Sequence, residues 1–247
     1  MKLNGLSAIV TGGASGLGFA TAQSLIAKGA RVTVFDLPTE AGQQAVEAIG
    51  ATFCAVDVTD ETQVKAGLDK AGEARILVNC AGIAPAARVV GRKGVHPLDL
   101  FQKVINVNLV GTFNVLRLFA ERAAELPEID GERGVIINTA SVAAFEGQKG
   151  QAAYAASKAA IAGMTICLAR DLAERQIRVM TIAPGTFLTP MLMGFAPEVH
   201  EKLAADIPHP HRLGDPAEYA ALAVSIVENP FLNGETIRLD GALRMNA

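Results

Sequence analysis

Short β-branched runs alternate with longer segments of helical period along this chain, and that alternation restricts the fold more than any other feature. Strands are predicted at Ser7 to Thr11, Arg31 to Asp36, Thr52 to Val56, Ile76 to Asn79, Val135 to Thr139, Arg178 to Ile182 and Thr236 to Leu239. Helical patterns lie between them at Gly18 to Lys28, Thr39 to Ile49, Glu61 to Ala71, Pro97 to Phe119, Tyr154 to Leu172 and Pro216 to Glu228. Strand, helix, strand in repetition requires right-handed crossovers, and these build a parallel sheet covered by helices on both faces. No Ser/Gly linker, charge block or internal repeat divides the 247 residues, 50 % of which are apolar, so one α/β domain spanning 1–247 is expected. Three stretches break the alternation: Ala84 to His96, Ala143 to Gln151 and Pro184 to Arg212. They are predicted as loops at the carboxyl ends of strands, where open α/β sheets bind ligands.

The first strand runs directly into Thr11-Gly12-Gly13-Ala14-Ser15-Gly16-Leu17-Gly18, which opens the first helix. Glycines at 12, 16 and 18 let the backbone turn tightly and bring its N–H groups against a pyrophosphate at the helix N-terminus. Glycines alone could merely make a turn, but Asp36 closes the second strand eighteen positions after Gly18. That is close to the roughly 20 residues expected for a carboxylate that accepts hydrogen bonds from an adenosine ribose. A carboxylate there repels a ribose 2′-phosphate, and neither Ala14 nor Leu37 supplies a cation, so NAD is favoured over NADP. Asp57-Val58 and Asn79-Cys80-Ala81-Gly82 follow the third and fourth strands at the same sheet edge. Ala81 and Gly82 are small enough for a ribose and nicotinamide to approach the backbone, while Asp57 could equally cap the helix that follows.

Tyr154-Ala-Ala-Ser-Lys158, with Ser141 thirteen positions upstream, collects a phenol, an ammonium and a hydroxyl. If Tyr154 begins a helix, Lys158 lies one turn further on the same face. A free phenol has a pKa of about 10, and an adjacent ammonium together with the positive charge of NAD would favour its phenolate. Lys158 is therefore expected to lower the Tyr154 pKa and bind the nicotinamide ribose, while Ser141, ending the fifth strand, polarises a substrate oxygen.

A net charge of −3 gives no general attraction to nucleic acid or to an anionic membrane surface. Cys54, Cys80 and Cys167 are scattered in apolar sequence and read as buried thiols of a reducing compartment. The N-terminal stretch reads as a first strand and not as a signal peptide, and no uninterrupted apolar segment reaches the roughly 18 residues of a membrane span. A soluble, cytoplasmic protein is expected, without nucleic-acid or membrane partners. His209-Pro210-His211 lacks accompanying carboxylate or thiol ligands at usual spacing and reads as a proline-rich loop, so no metal is expected.

These residues together resemble the short-chain dehydrogenase/reductase family over essentially the whole chain. The glycine motif, Asp57, Asn79-Cys80-Ala81-Gly82, Asn106-Val107-Asn108, Ser141, Tyr154 with Lys158, and Pro184-Gly185 with Thr189 stand in the family's order. The resemblance implies a Rossmann-like doubly wound sheet of strand order 3-2-1-4-5-6-7, usually in a homotetramer. It also implies that Asn108 joins Ser141, Tyr154 and Lys158 in a proton relay through water. Thr189 and the backbone from Pro184 to Phe187 would hold the nicotinamide carboxamide. The stretches Gly134 to Gly147, Arg212 to Tyr219 and Glu228 to Glu235 are similar to those of the family's type II 3-hydroxyacyl-CoA dehydrogenases, also described as a 17β-hydroxysteroid dehydrogenase type. That likeness implies NAD-dependent interconversion of an (S)-3-hydroxyacyl-CoA and its 3-oxoacyl-CoA, with Gln148 and Gln151 near the substrate. Thr186-Phe187-Leu188 matches that group only loosely.

Two further features bear on substrate. Met191-Leu192-Met193-Gly194-Phe195 is an apolar run suited to a lid over an acyl chain or to a buried short helix. Arg88, Arg92 and Lys93 could meet CoA phosphates or simply be solvated. Two other functions stay open: dehydrogenation of a different secondary alcohol, such as a hydroxysteroid or branched hydroxyacyl-CoA, and a nucleotide-binding scaffold in which catalysis is incidental.

Overall fold

The computed structural model of the chain describes residues 1–92, 94–193 and 196–246. In chain order its elements are β1 (Ser7–Thr11), α1 (Gly16–Ala27), β2 (Arg31–Asp36), α2 (Glu40–Ala48), β3 (Thr52–Ala55), α3 (Glu61–Ala71), β4 (Ala74–Asn79), β5 (Val90–Gly91) and β6 (Gly94–Val95). Then come α4 (Leu98–Ile105), α5 (Thr112–Ala123), β7 (Gly134–Thr139), α6 (Ala152–Asp171), β8 (Ile177–Pro184), α7 (Pro190–Met193), α8 (Pro197–Ala205), α9 (Pro216–Glu228) and β9 (Thr236–Leu239). Seven strands form one parallel sheet in the order β3-β2-β1-β4-β7-β8-β9. Without the short antiparallel hairpin β5–β6, this is the order 3-2-1-4-5-6-7 implied by the resemblance.

The period of two sorts the strand residues onto two cores. Ala8, Val10, Val32, Val34, Ile76, Val78, Val135, Ile137, Met180 and Ile182 face α1, α2 and α9. Ile9, Phe35, Leu77, Ile136, Ile177 and Val179 face α3, α5 and α6. Burial of each large side chain such as Leu77 or Ile136, both fully enclosed, contributes about 1.5–3 kcal/mol. The register brings the last residues of the central strands to one edge: Thr11 pairs with Asn79, Asn79 with Asn138, and Thr139 with Ile182. The glycine loop, Cys80 to Gly82 and Ser141 all follow from that edge. Arg178 of β8 pairs with Glu132 at 2.6 Å and donates to the carbonyls of Ile226 and Val227, tying the end of α9 to the sheet.

Three expectations need correction. The segment predicted as one helix from Pro97 to Phe119 is α4 and α5 joined through a π-helical turn at Asn106–Gly111. Gly111 lets the backbone pass Val58, whose side chain would lie 2.6 Å from a Cβ there. The stretch Pro184 to Arg212 is not all loop, since it holds α7 and α8; Pro197 at the first position of α8 and Glu198 in its first turn are start signals. Of the apolar run, Met191 to Met193 fall in α7, while Gly194 and Phe195 lie outside the described residues. Only Cys54 is fully buried; Cys80 is half-buried after β4, and Cys167 is exposed on the outer side of α6.

α6 has the length and apolar composition of a membrane span, yet a third of it is buried against the sheet. Its inner side carries Ile161, Leu168 and Ala169 together with the buried Ser157 and Lys158. Its outer side leaves Ile166 exposed.

Candidate active site

The glycine loop is shaped by contacts that exclude side chains. Gly12 has φ +63°, and a Cβ there would sit 2.7 Å from the Ala81 nitrogen; a Cβ on Gly18 would sit 2.3 Å from the Gly12 carbonyl oxygen. Gly16 turns at φ +54° and faces Thr189 and Pro190, so the segment after β8 closes over the loop. Ser15 is the N-cap of α1 but makes no side-chain cap, and no acidic residue stands in the first turn. The N–H groups around Ser15, Gly16 and Leu17 are thereby left for an anion, which the helix dipole favours. The cradle fits a dinucleotide pyrophosphate. Asp36 accepts hydrogen bonds from the N–H groups of Ala14 (2.9 Å) and Leu37 (2.8 Å), bracing the loop against the end of β2.

Asp57 does not cap α3. Its carboxylate closes on Thr59, accepting from both N–H and hydroxyl, and Asp60 is the cap, accepting from Thr62 and Gln63. Val58 is buried, and its carbonyl accepts from Asn114. Thr11 Oγ1 accepts from the N–H groups of Cys80 and Ala81, both at 3.2 Å, which fixes the backbone leading to Gly82.

Lys158 stands one turn beyond Tyr154 on α6, with Nζ 5.7 Å from the centre of the phenol ring. The ammonium donates to the Thr139 carbonyl at 2.7 Å. A Cβ on Gly82 would lie 3.7 Å from Lys158 Nζ and 3.2 Å from Asn108 Oδ1, so these three residues meet in one place. Asn108 is fully buried on the π-helical turn, an element that recurs at functional sites. Its side chain is committed: Oδ1 accepts from Ile83 N–H, and Nδ2 donates to the Ile83 carbonyl and Ser157 Oγ. The side chain is therefore not free for a relay, and the Asn108 carbonyl accepts from the Thr112 hydroxyl at 2.7 Å. Ser141 lies two residues beyond β7, where it caps a 3-10 turn by accepting from Ala143 N–H, and does not end the strand.

The protonation states differ from the expectation in an instructive way. Burial pushes the Tyr154 phenol up from its ordinary value, opposed by the Ser141 hydroxyl beside it. Burial pulls Lys158 down to about 8, opposed by Cys80. Desolvation disfavours the charged form of both groups, and Lys158 is not among the groups that lower Tyr154.

Other assigned residues are placed less favourably. Phe187 belongs to the core under the sheet, packed against Gly214, so only its backbone can serve a ligand. Pro184 ends β8 and is buried. Gln148 donates through Nε2 to the Asn246 carbonyl, and Gln151 accepts through Oε1 from the Gln148 N–H. Gln148 thus clasps the C-terminal segment together with Glu146, which accepts from Arg238 and the Met245 N–H, while Gln151 braces the Gln148 backbone. Arg88 and Arg92 are exposed on the β5–β6 hairpin and form no ion pair among the described residues; Lys93 lies outside them. Thr139 and Tyr219 carry no local signal of their place in the site, since the contacts that bring them there span more than a dozen residues.

A family model described as short chain dehydrogenase matches residues 7–199. The 3-hydroxyacyl-CoA dehydrogenase type-2 of Bos taurus is 55 % identical over 253 residues, covering 99 % of this chain and 97 % of that protein. A crystal structure of 3-hydroxyacyl-CoA dehydrogenase type-2 from Mycobacterium avium superposes with a TM-score of 0.94 at 45 % identity, covering 98 % of this chain and 97 % of the other. A 3-oxoacyl-[acyl-carrier protein] reductase with bound NAD from Brucella melitensis gives a TM-score of 0.87 at 33 % identity, covering 99 % and 93 %.

Proposed function

Because the chain belongs to the short-chain dehydrogenase/reductase family, we propose that it interconverts an (S)-3-hydroxyacyl-CoA and the corresponding 3-oxoacyl-CoA with NAD. The observation that carries the chemistry is the convergence of Tyr154, Lys158 and Ser141 at the edge that holds the glycine loop. The acyl-CoA class rests on the near-complete match to the bovine and mycobacterial enzymes, and the exposed Arg88 and Arg92 suit CoA phosphates.

Gly12, Ser15, Gly16, Leu17 and Gly18 hold the pyrophosphate, Asp36 the adenosine ribose, Asp57 and Val58 the adenine side, and Cys80, Ala81, Gly82 and Lys158 the nicotinamide half. Thr189, beside Gly16, and the backbone of Pro184 to Phe187 close that half from the other side. When bound, NAD supplies the hydride acceptor and a positive charge beside Tyr154. In oxidation, Ser141 donates to the substrate oxygen and orients it, and Tyr154 takes the hydroxyl proton as the carbonyl forms. Lys158 favours the phenolate through its charge. In reduction Tyr154 returns the proton to the new alkoxide. Exposed apolar side chains on α4, α5 and α6, including Leu98, Phe113 and Ile166, offer a surface for further copies of the chain, consistent with a homotetramer. Free thiols accord with a cytoplasmic protein.

NADH-linked rates test the substrate. Acetoacetyl-CoA should exceed ketosteroids and free acetoacetate in kcat/KM by about tenfold or more, since the CoA moiety adds binding they lack. The reverse order would assign the chain to another secondary alcohol, and no turnover despite NADH binding would favour a scaffold. Cofactor choice has its own test. Asp36→Arg should swing the NAD-to-NADP ratio of kcat/KM by about 100-fold towards NADP, because a carboxylate acceptor becomes a phosphate donor. An unchanged ratio would remove Asp36 from the ribose site.

A further inference from the structure

Tyr219 is fully buried on α9, and its hydroxyl lies 2.7 Å from Thr139 Oγ1 and 3.7 Å from Cys80 Sγ. Thr139 Oγ1 in turn contacts Cys80 Sγ at 3.5 Å. The three side chains occupy the side of the sheet covered by α1 and α9, as the alternation along β4 and β7 requires. Lys158 reaches β7 from the opposite side, on α6, and its ammonium rests on the carbonyl of the same Thr139. The last residue of β7 is thus held from below by a phenol and loaded from above by an ammonium. A phenylalanine would fill the Tyr219 space with no buried hydroxyl to satisfy, so the hydroxyl needs a use.

We propose that Tyr219 is a positioning residue for Lys158, fixing through the Thr139 hydroxyl the peptide whose carbonyl receives the ammonium. The same bond keeps Cys80, the start of the nicotinamide floor, in register with β7. The titratable groups facing Lys158 are Tyr154 on α6 and Cys80 after β4, while Tyr219 lies across β7 on α9; no carboxylate among the described residues joins them. An ammonium in such surroundings depends on its carbonyl acceptor more than a solvated one does, and loosening that acceptor disfavours the charged form. The catalytic consequence rests on the reading of Tyr154 and Lys158 given above, while the effect on Lys158 itself does not.

The test uses protein labelled with 13Cε-lysine, free of nucleotide, with the Lys158 signal assigned by its loss in Lys158→Met. In the unsubstituted protein this signal should titrate near 8. Tyr219→Phe should lower the midpoint by about half a unit and reduce kcat about tenfold with little change in the KM for the acyl substrate. Thr139→Val should do the same, and the double variant should be no worse than either single one, as expected for residues acting in series. A Lys158 midpoint unchanged in Tyr219→Phe would reduce the residue to packing, whatever its melting temperature, and overturn the proposal. So would a shifted midpoint with undiminished kcat. If no hydroxyacyl-CoA is turned over by the unsubstituted protein, the proposed substrate fails while the lysine titration still decides the positioning role.

Discussion

Tyr154→Phe is expected to bind NADH within about threefold of the unsubstituted protein and to lose about 10³-fold or more in kcat. The substitution removes one oxygen from a half-buried ring on a helix whose inner face is packed elsewhere, so folding should be unaffected. The lost oxygen is the only phenol at the edge that carries the glycine loop, since the chain's other tyrosine, Tyr219, is enclosed beneath the sheet. Ser141 cannot substitute, because a serine hydroxyl has no accessible ionisation near neutrality and its oxygen already accepts from Ala143 N–H. Lys158 could act as a base, given its lowered value of about 8, but its ammonium is directed at the Thr139 carbonyl and away from a substrate hydroxyl. Steady-state kcat beside a fluorescence titration of NADH measures both quantities. Turnover within tenfold of normal would move the proton transfer to Lys158 or to solvent.

The central strands are legible in the sequence because a run such as Val135 to Thr139 is β-branched at every position but Asn138 and buried on both faces, leaving no competing period. The glycine loop is legible because part of the restriction is local in the chain: Gly12 and Gly16 turn at positive φ, and a Cβ at Gly18 would meet the Gly12 carbonyl oxygen. The π-helical turn at Asn106–Gly111 is not legible, since one extra residue per turn leaves the apolar pattern from Leu98 to Phe119 nearly intact. Ser141 is taken for the end of the fifth strand because Ala140 continues the apolar run after β7 ends at Thr139. Phe187 looks like a loop residue beside the cofactor, and only the packing on Gly214 shows that it faces the core. Thr139 and Tyr219 meet across 80 residues of chain, and no spacing rule reaches that far. The sign of the Tyr154 shift depends on burial against charge, which side-chain identities alone cannot rank.

Lys158→Met should separate stability from activity. The ammonium is 5 % exposed and its pKa falls from 10.5 to about 8 on folding, with burial as the main cause. A base with a depressed folded-state value is a burden when protonated: the folded chain releases the proton near pH 8 while the unfolded chain keeps it to about 10.5. The penalty is therefore fully present below pH 8, at about 3 kcal/mol, and disappears as the pH rises through 10.5. Methionine has a similar stem and no charge, so the variant escapes the penalty but forfeits the bond to the Thr139 carbonyl, worth about 1 kcal/mol. A net gain of about 2 kcal/mol is expected at pH 7, shrinking to nothing near pH 9.5 as the unsubstituted protein sheds its own penalty. Urea unfolding at the two pH values measures it. Over the same substitution kcat/KM should fall about 10³-fold, since both the ribose anchor and the charge that favours the phenolate are gone. A variant less stable at pH 7 would mean that the carbonyl bond outweighs desolvation. Lys158 would then hold α6 to β7 as part of the fold, and its strain could not be assigned to catalysis.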